Sequence, residues 1–262
     1  MQVVTVLLVL VVSSTYAHIV RDRIKNSKVN KNKRIFGGEP AEPGFATYQV
    51  SIQTPLFEHI CGGSIIGDRY ILTAGHCIKN YINKHRESEL QIVTGTNRYD
   101  KPGGVYYVKD LILHCNYGIK EYHNDIGLIR LNESIVFNKF TQPILLPTEP
   151  LKDGDEVVLT GWGNTDYIND LPDDLQKITL KYVPRKECLE ALDNNPGLDI
   201  GHICTFTKEG EGACYGDSGS PLVKDGFVFG VVNWGFACAT GKPDAQANVH
   251  FYNDWIRTQM KD

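Results

Sequence analysis

The chain has 262 residues, 42% hydrophobic and 22% charged, with 25 Gly and 12 Pro. This is an ordinary globular balance that excludes intrinsic disorder, collagen-like repeats and coiled coils. A net charge of −4, from 27 Lys and Arg against 31 Asp and Glu, argues against a nucleic-acid binder held by phosphate contacts. Seven cysteines without any C-x-x-C or H-E-x-x-H spacing point to an oxidising compartment and away from zinc, and no metal site is expected.

The first element is a leader. Residues Val3 to Val12 are apolar apart from Thr5, and Ser13 to Ala17 offers small residues where a signal peptidase cuts. That run is too short to anchor in a bilayer, and no later one is long enough, so residues 1–17 are expected to be a signal peptide and the protein secreted, with no membrane partner. Residues 18–34 carry seven basic side chains against the single acid Asp22. Such a run stays solvated, as a heparin-binding tract or a removable pro-segment. Its removal would take the net charge from −4 to about −10.

From Ile35 onward, short β-rich segments alternate with Gly, Pro, Asn and Asp turns. Strands are predicted over 48–52, 70–74, 90–94, 105–113, 126–131, 156–162, 175–183, 227–234 and 246–250, a spacing that suits a sandwich or barrel and not a parallel βαβ sheet. The Pro-rich stretch 140–155 reads as a crossing between two halves, and only the tail 252–260 reads as a helix, with Trp255 and Ile256 on its apolar face.

Three segments carry candidate chemistry: Thr73-Ala74-Gly75-His76-Cys77 closing one strand, Asn124-Asp125-Ile126-Gly127 opening another, and the tight turn Gly216-Asp217-Ser218-Gly219-Ser220-Pro221. A Ser hydroxyl is a poor nucleophile at neutral pH and needs a base within hydrogen-bond reach. An imidazole titrating near ~6.5 suits that task, and a carboxylate can fix its tautomer. Each segment alone is weak, but the order His…Asp…Ser, with Cys77 beside the His and Cys214 four residues before the Ser, is far more specific. The other seven histidines, at 18, 59, 85, 114, 123, 202 and 250, lack such context and read as structural or surface residues.

On these motifs the chain resembles the chymotrypsin-like (trypsin-fold) serine endopeptidases, from Ile35 to about Met260. Arg34-Ile35-Phe36-Gly37-Gly38, Cys61-Gly62-Gly63-Ser64, Gly161-Trp162-Gly163 and Asn233-Trp234-Gly235 extend the likeness, and 202–214 resembles the insect chymotrypsins in particular. The resemblance implies an all-β fold of two six-stranded antiparallel Greek-key β-barrels with a C-terminal helix. The organisation it implies is a signal peptide 1–17, an activation propeptide 18–34 and a peptidase domain 35–262, whose barrels divide near 145/146. It implies a catalytic set His76, Asp125 and Ser218, an oxyanion hole from the amides of Gly216 and Ser218, and activation by a cut after Arg34 that frees the Ile35 amine to pair with Asp217. It further implies disulfides Cys61–Cys77, Cys188–Cys204 and Cys214–Cys238. Cys115 is left over, as a buried or capped thiol or as half of an intermolecular bridge.

The substrate pocket implied by the resemblance comprises Gly212, Ala213, Tyr215, Asn233, Trp234, Gly235 and Asp244. Trypsins carry an Asp where this chain has Gly212, so selectivity for Arg and Lys alone is unsupported, although Asp244 falls on the strand of the pocket floor. Asp244 also reads as a turn residue after Pro243. Gly235 at the mouth leaves the entrance open. Gly75, Gly127, Asn233 and Ser220 depart from the family's usual residues, and the loop 94–104 has only Asp100 as an acid, too few oxygens for the calcium site of some relatives. The expected function is a secreted, digestive endopeptidase of chymotrypsin-like or broad specificity, made as a zymogen, monomeric and without cofactor. Protein or peptide substrates, an activating trypsin-like protease and protein inhibitors are its expected partners. A catalytically silent homologue that acts by binding is the alternative.

Overall fold

The computed structural model describes residues 35–82, 86–165, 171–236 and 238–261. The expected leader, the basic segment and Arg34 therefore lie outside the described residues. Thirteen strands and three α-helices are described. Strands β2 (Gln49–Gln53), β3 (His59–Ile65), β4 (Tyr70–Thr73), β5 (Gln91–Thr94), β6 (Gly104–Leu113) and β7 (Gly127–Leu131) close an antiparallel barrel in the order β2-β3-β4-β7-β6-β5. A second barrel is formed by β8 (Glu156–Gly161), β9 (Gln176–Val183), β10 (His202–Thr205), β11 (Pro221–Lys224), β12 (Phe227–Trp234) and β13 (Asp244–Asn248), closed by the pairing of β8 with β9. The two-residue strand β1 (Glu39–Pro40) adds to the edge of β9, so the start of the described chain belongs to the second barrel's sheet. The fold is the trypsin-like pair of six-stranded barrels.

The nine strands expected from alternation are present, each within about two residues of its expected limits. β4 is buried along its whole length, with Ile71 and Leu72 fully enclosed, and β7 opposite contributes Leu128, Ile129 and Leu131 to the same core. The second core gathers Val157, Leu159, Ile178, Leu180, Leu222 and Ile35, whose side chain is fully buried. The stretch 140–155 does cross between the barrels: Gln142 N donates to Thr47 O and Ile144 N to Ile65 O, then Leu145 N to Gly226 O.

Sequence reading missed two helices, α1 (Gly75–Ile82) and α2 (Arg185–Ala191), and placed the last helix late; α3 runs Val249–Gln259, capped by the Asn248 side chain accepting from Phe251 N. Both missed helices are short, below the length at which helical periodicity declares itself, and a disulfide pins each one: Cys61–Cys77 ties α1 to β3, and Cys188–Cys204 ties α2 to β10. With Cys214–Cys238, each closes a loop that contributes about 3 kcal/mol in the chain-entropy model. Cys115 is free and exposed, so it is not a buried thiol. In the loop 94–104 the guanidinium of Arg98 sits on Asp100, with Asp173 at 3.3 Å, so a side-chain cation occupies the ground of that one acid.

Ile129 is fully buried at the centre of the first barrel. Ile129→Ala should lower unfolding free energy by about 2–5 kcal/mol, read from the denaturant midpoint. An unchanged midpoint would place this residue outside the cooperative core.

Candidate active site

The antiparallel register of β4 with β7 sets Thr73 opposite Gly127, which brings the residues just after one strand beside those just before the other. His76, in the first turn of α1, thereby meets Asp125. The His76 amide donates to Asp125 Oδ1 at 2.6 Å and Nδ1 to Oδ2 at 2.7 Å, so both carboxylate oxygens hold the same residue. Asp125 is buried, while the His76 ring remains partly exposed at the cleft. A proton on Nδ1 leaves Nε2 as the free acceptor. Gly75 and Gly127 leave room for neighbouring side-chain ends. A Cβ on Gly75 would lie 2.7 Å from Leu113 Cδ1 and 2.9 Å from Tyr117, and one on Gly127 would lie 2.6 Å from Ile78 Cδ1.

Ser218 arrives from the second barrel. Its turn needs Gly216 and Gly219 in left-handed conformations (φ +94° and +78°), and a Cβ on Gly219 would overlap Thr73 Oγ1 and the Gly62 carbonyl. Gly62 N donates to Ser218 O at 2.8 Å, so the turn is seated on β3 and on the end of β4, just ahead of His76. Among the described residues no acceptor takes the amides of Gly216 or Ser218, which leaves two donors for a ligand oxygen.

Beneath the turn, Asp217 is wholly buried. Its Oδ1 accepts from Gly163 N at 2.8 Å and its Oδ2 from Cys214 N at 3.0 Å. Side chains at Gly161 or Gly163 would overlap the carboxylate. Burial pushes the group up to about 7 against those two hydrogen bonds, and no basic side chain among the described residues pairs with it. His59 also supports the turn: its Nε2 donates to Gly216 O at 2.9 Å and its Nδ1 accepts from Ser51 Oγ at 2.7 Å. Burial lowers this imidazole to about 4, which keeps it neutral. Reading the sequence set His59 aside, because nothing in the residues around it marks a contact with Gly216, 157 positions later.

Comparison with known proteins decides the family. A model of the trypsin family matches residues 35–256. The chain belongs to the trypsin family. Chymotrypsin-2 of Vespa crabro is 43% identical over 225 residues, covering 85% of this chain and 98% of that one. Trypsin-1 of Astacus astacus is 36% identical over 85% of this chain and 98% of its own. The solved structure of neuropsin, a serine protease of mouse brain, superposes with a TM-score of 0.77 at 27% identity, over 86% of this chain and 99% of that one. This trypsin-family protein is a serine endopeptidase, and its substrates are proteins or peptides.

Next to Ser218 the endopeptidase has a cavity of about 220 Å³ bordered by Ala213, Trp234, Gly235 and Asp244. Cys214–Cys238 joins two of its walls, and Tyr215 stands exposed at the rim. The Asp244 carboxylate reaches across this space and is not a turn cap. Oδ2 accepts from Ala213 N at 3.0 Å and lies 2.7 Å from where a Cβ on Gly212 would be; Oδ1 occupies the room that a side chain on Gly235 would need. Gly235 therefore accommodates the acid and does not simply open the entrance. Burial raises Asp244 to about 7, the Ala213 amide opposes this, and nearby Asp217 adds repulsion.

Asn233 and Trp234 form the shared edge between this cavity and the cleft bordered by His76 and Asp125. Trp234 stacks on Tyr122 with ring centroids 5.0 Å apart. Asn233 turns its amide toward His202 Nε2 at 3.4 Å. Ser220, the other departure, accepts from Gln49 Nε2 at 3.3 Å and links the Ser218 turn to β2.

Proposed function

We propose that the protein is a secreted digestive zymogen, organised as a signal peptide 1–17, a propeptide 18–34 and a peptidase domain 35–262 that is activated by a trypsin-like protease cutting after Arg34. The observation that carries its chemistry is the double hold of Asp125 on His76, which leaves one ring nitrogen as a base in a cleft that shares its Asn233–Trp234 edge with the cavity beside Ser218. In this reading His76 Nε2 takes the Ser218 proton as Oγ attacks the peptide carbonyl. Asp125 stabilises the imidazolium, and the amides of Gly216 and Ser218 receive the developing oxyanion. His76 then protonates the leaving amine, and a water enters by the same base to release the acyl group. Cleavage after Arg34 would create the α-amine of Ile35, whose side chain already lies in the second core with Ala213. The amine is the cation that the buried Asp217 lacks.

Ser218→Ala should cut turnover by several orders of magnitude, on the order of 10⁴ or more, while the activated chain still binds peptide. It should also abolish labelling by a serine-directed phosphonate. Wild-type turnover in this variant would end the acyl-enzyme reading.

Specificity follows from the pocket. With Gly212 in place of an acid and apolar walls at Ala213 and Trp234, Phe, Tyr and Leu should be the favoured residues before the scissile bond, each methylene contributing about 1–3 kcal/mol. Asp244 would add secondary cleavage after Arg and Lys once ionised, so the ratio of basic to aromatic cleavage should rise with pH through about 7. Asp244→Gly should remove that rise and leave cleavage after Phe and Tyr largely intact, measured as kcat/KM on matched peptides. Equal losses for both substrate types would make Asp244 structural, and strict cleavage after Arg or Lys by the wild type would overturn the chymotrypsin-like preference.

A further inference from the structure

The segment that leads into Asp125 is held by titratable side chains that the proposed chemistry does not use. Tyr122 and Asn124 both sit in the left-handed region, with φ of +65° and +54°, on either side of His123. Such conformations at residues other than glycine are costly and persist only where surrounding contacts impose them. Most of those contacts come from the second barrel. His123 Nδ1 lies 3.0 Å from Asp199 Oδ2, and its Nε2 lies 3.0 Å from the Pro196 carbonyl. His202, whose side chain is 1% exposed, places Nδ1 2.8 Å from Asp199 Oδ1 and Nε2 3.2 Å from the Tyr122 carbonyl. From α3, the Tyr252 hydroxyl donates to Asn124 Oδ1 at 3.2 Å.

Proton positions follow from these partners. Each nitrogen of His123 faces an oxygen acceptor, so only the doubly protonated ring satisfies both contacts. For His202, the short contact with a carboxylate fixes a proton on Nδ1 in preference to the 3.3 Å approach of the Asp199 amide. Its Nε2 then has two states. Unprotonated, it accepts from Asn233 Nδ2 at 3.4 Å but turns a lone pair on the Tyr122 carbonyl, and Asn233 Oδ1 stays buried without a partner. Protonated, it donates to Tyr122 O, and a turned Asn233 amide would offer Oδ1 as a second acceptor. Asp199 lies between the two rings, one carboxylate oxygen within 3.0 Å of a nitrogen on each. Burial pushes the Asp199 carboxyl up, but the hydrogen bond and charge of His202, with the charge of His123, outweigh it and hold the group below its ordinary value. On α3, the Tyr252 hydroxyl lies within the influence of both Asp199 and Asp125, whose charges add to burial in raising it.

We propose that His202 and His123, bridged by Asp199, are positioning residues: a clasp that holds the Tyr122–Asp125 segment against the second barrel and so fixes both Asp125 and the Tyr122–Trp234 wall of the cleft. The proposal rests on the reading of Asp125 as the group that orients His76. It assigns a role to Asn233 as well, whose amide is the clasp's contact with the cleft edge and not a direct ligand of the catalytic acid.

The test uses the activated full chain, with kcat and KM measured from about pH 6 to 9 on one peptide that ends in Phe before the scissile bond. His202→Leu removes the donor to Tyr122 and should lower kcat by about tenfold, since small displacements of a catalytic group are expensive. His202→Gln, whose amide can still donate there, should recover most of that loss. Asp199 is partly exposed, so Asp199→Asn keeps the fold accessible if His202→Leu does not fold. Asp199→Asn removes the carboxylate that both rings share and should lower kcat as His202→Leu does, with KM changed less. Wild-type kcat in both variants, or no recovery in His202→Gln, would overturn the clasp. Asp125→Asn separates the two readings. If it loses turnover by orders of magnitude while Asp199→Asn loses none, the clasp alone fails. If Asp125→Asn keeps wild-type turnover, the reading beneath the clasp fails with it.

Discussion

The buried carboxylate of Asp217 is the constraint around which the site is arranged. Two backbone amides hold it, two glycines make room for it, and Ser218 follows it directly in the turn. A carboxyl with two hydrogen bonds and no counter-ion among the described residues is far from satisfied at full burial, and its ionisation is displaced upward accordingly. The sign matters for stability. A folded-state value raised above the unfolded one means that the group's contribution is complete below the ordinary carboxylate range and is lost as pH climbs toward about 7. Under the proposed activation, the Ile35 amine reverses this by supplying the missing charge. The turn that carries Gly216 and Ser218 would then gain stability in the pH range where the enzyme works.

The rest of the site draws on both barrels. The first barrel supplies His76 and Asp125, locked to one another by two hydrogen bonds, and the second supplies Ser218 and the cavity beside it. Gly62 N to Ser218 O, His59 to Gly216 O, Gln49 to Ser220 and His202 to Tyr122 O are the links that hold those halves in register. All four involve buried or half-buried polar groups, for which an unmade bond costs more than a made one contributes, so they specify geometry more than they add stability. The two acids of the second barrel are linked as well. Adjacent amides, Ala213 N and Cys214 N, point at Asp244 and Asp217 respectively, so the acid that spans the cavity and the acid beneath the Ser218 turn share one short piece of backbone.

Much of this was legible in the sequence where the physics is local. Alternation found nine strands, and the glycine-rich turn around Ser218 announced its strained backbone. β3 was missed because Gly62 and Gly63 break its alternation, and the reason for the glycines is remote: a Cβ on Gly62 would overlap Ser220 Oγ, and one on Gly63 would meet Ile71 and Val50. His59, His123 and His202 read as ordinary histidines because their partners, Gly216, Asp199 and Tyr122, are assembled only by the closed fold or, for Asp199 beside His202, offer an unremarkable spacing. Asp244 was visible as an acid near the pocket. That it spans the gap between Gly212 and Gly235 required the register of β13 against β10 and β12.

The most direct measurement is a carbon-13 titration of the Asp217 carboxyl, assigned by difference from Asp217→Asn, in the chain before and after cleavage between Arg34 and Ile35. The account predicts a midpoint near about 7 in the uncut chain and one below the ordinary carboxylate value of about 3.9 in the cut chain, because the new amine stabilises the anion. A midpoint that cleavage leaves unchanged would contradict it.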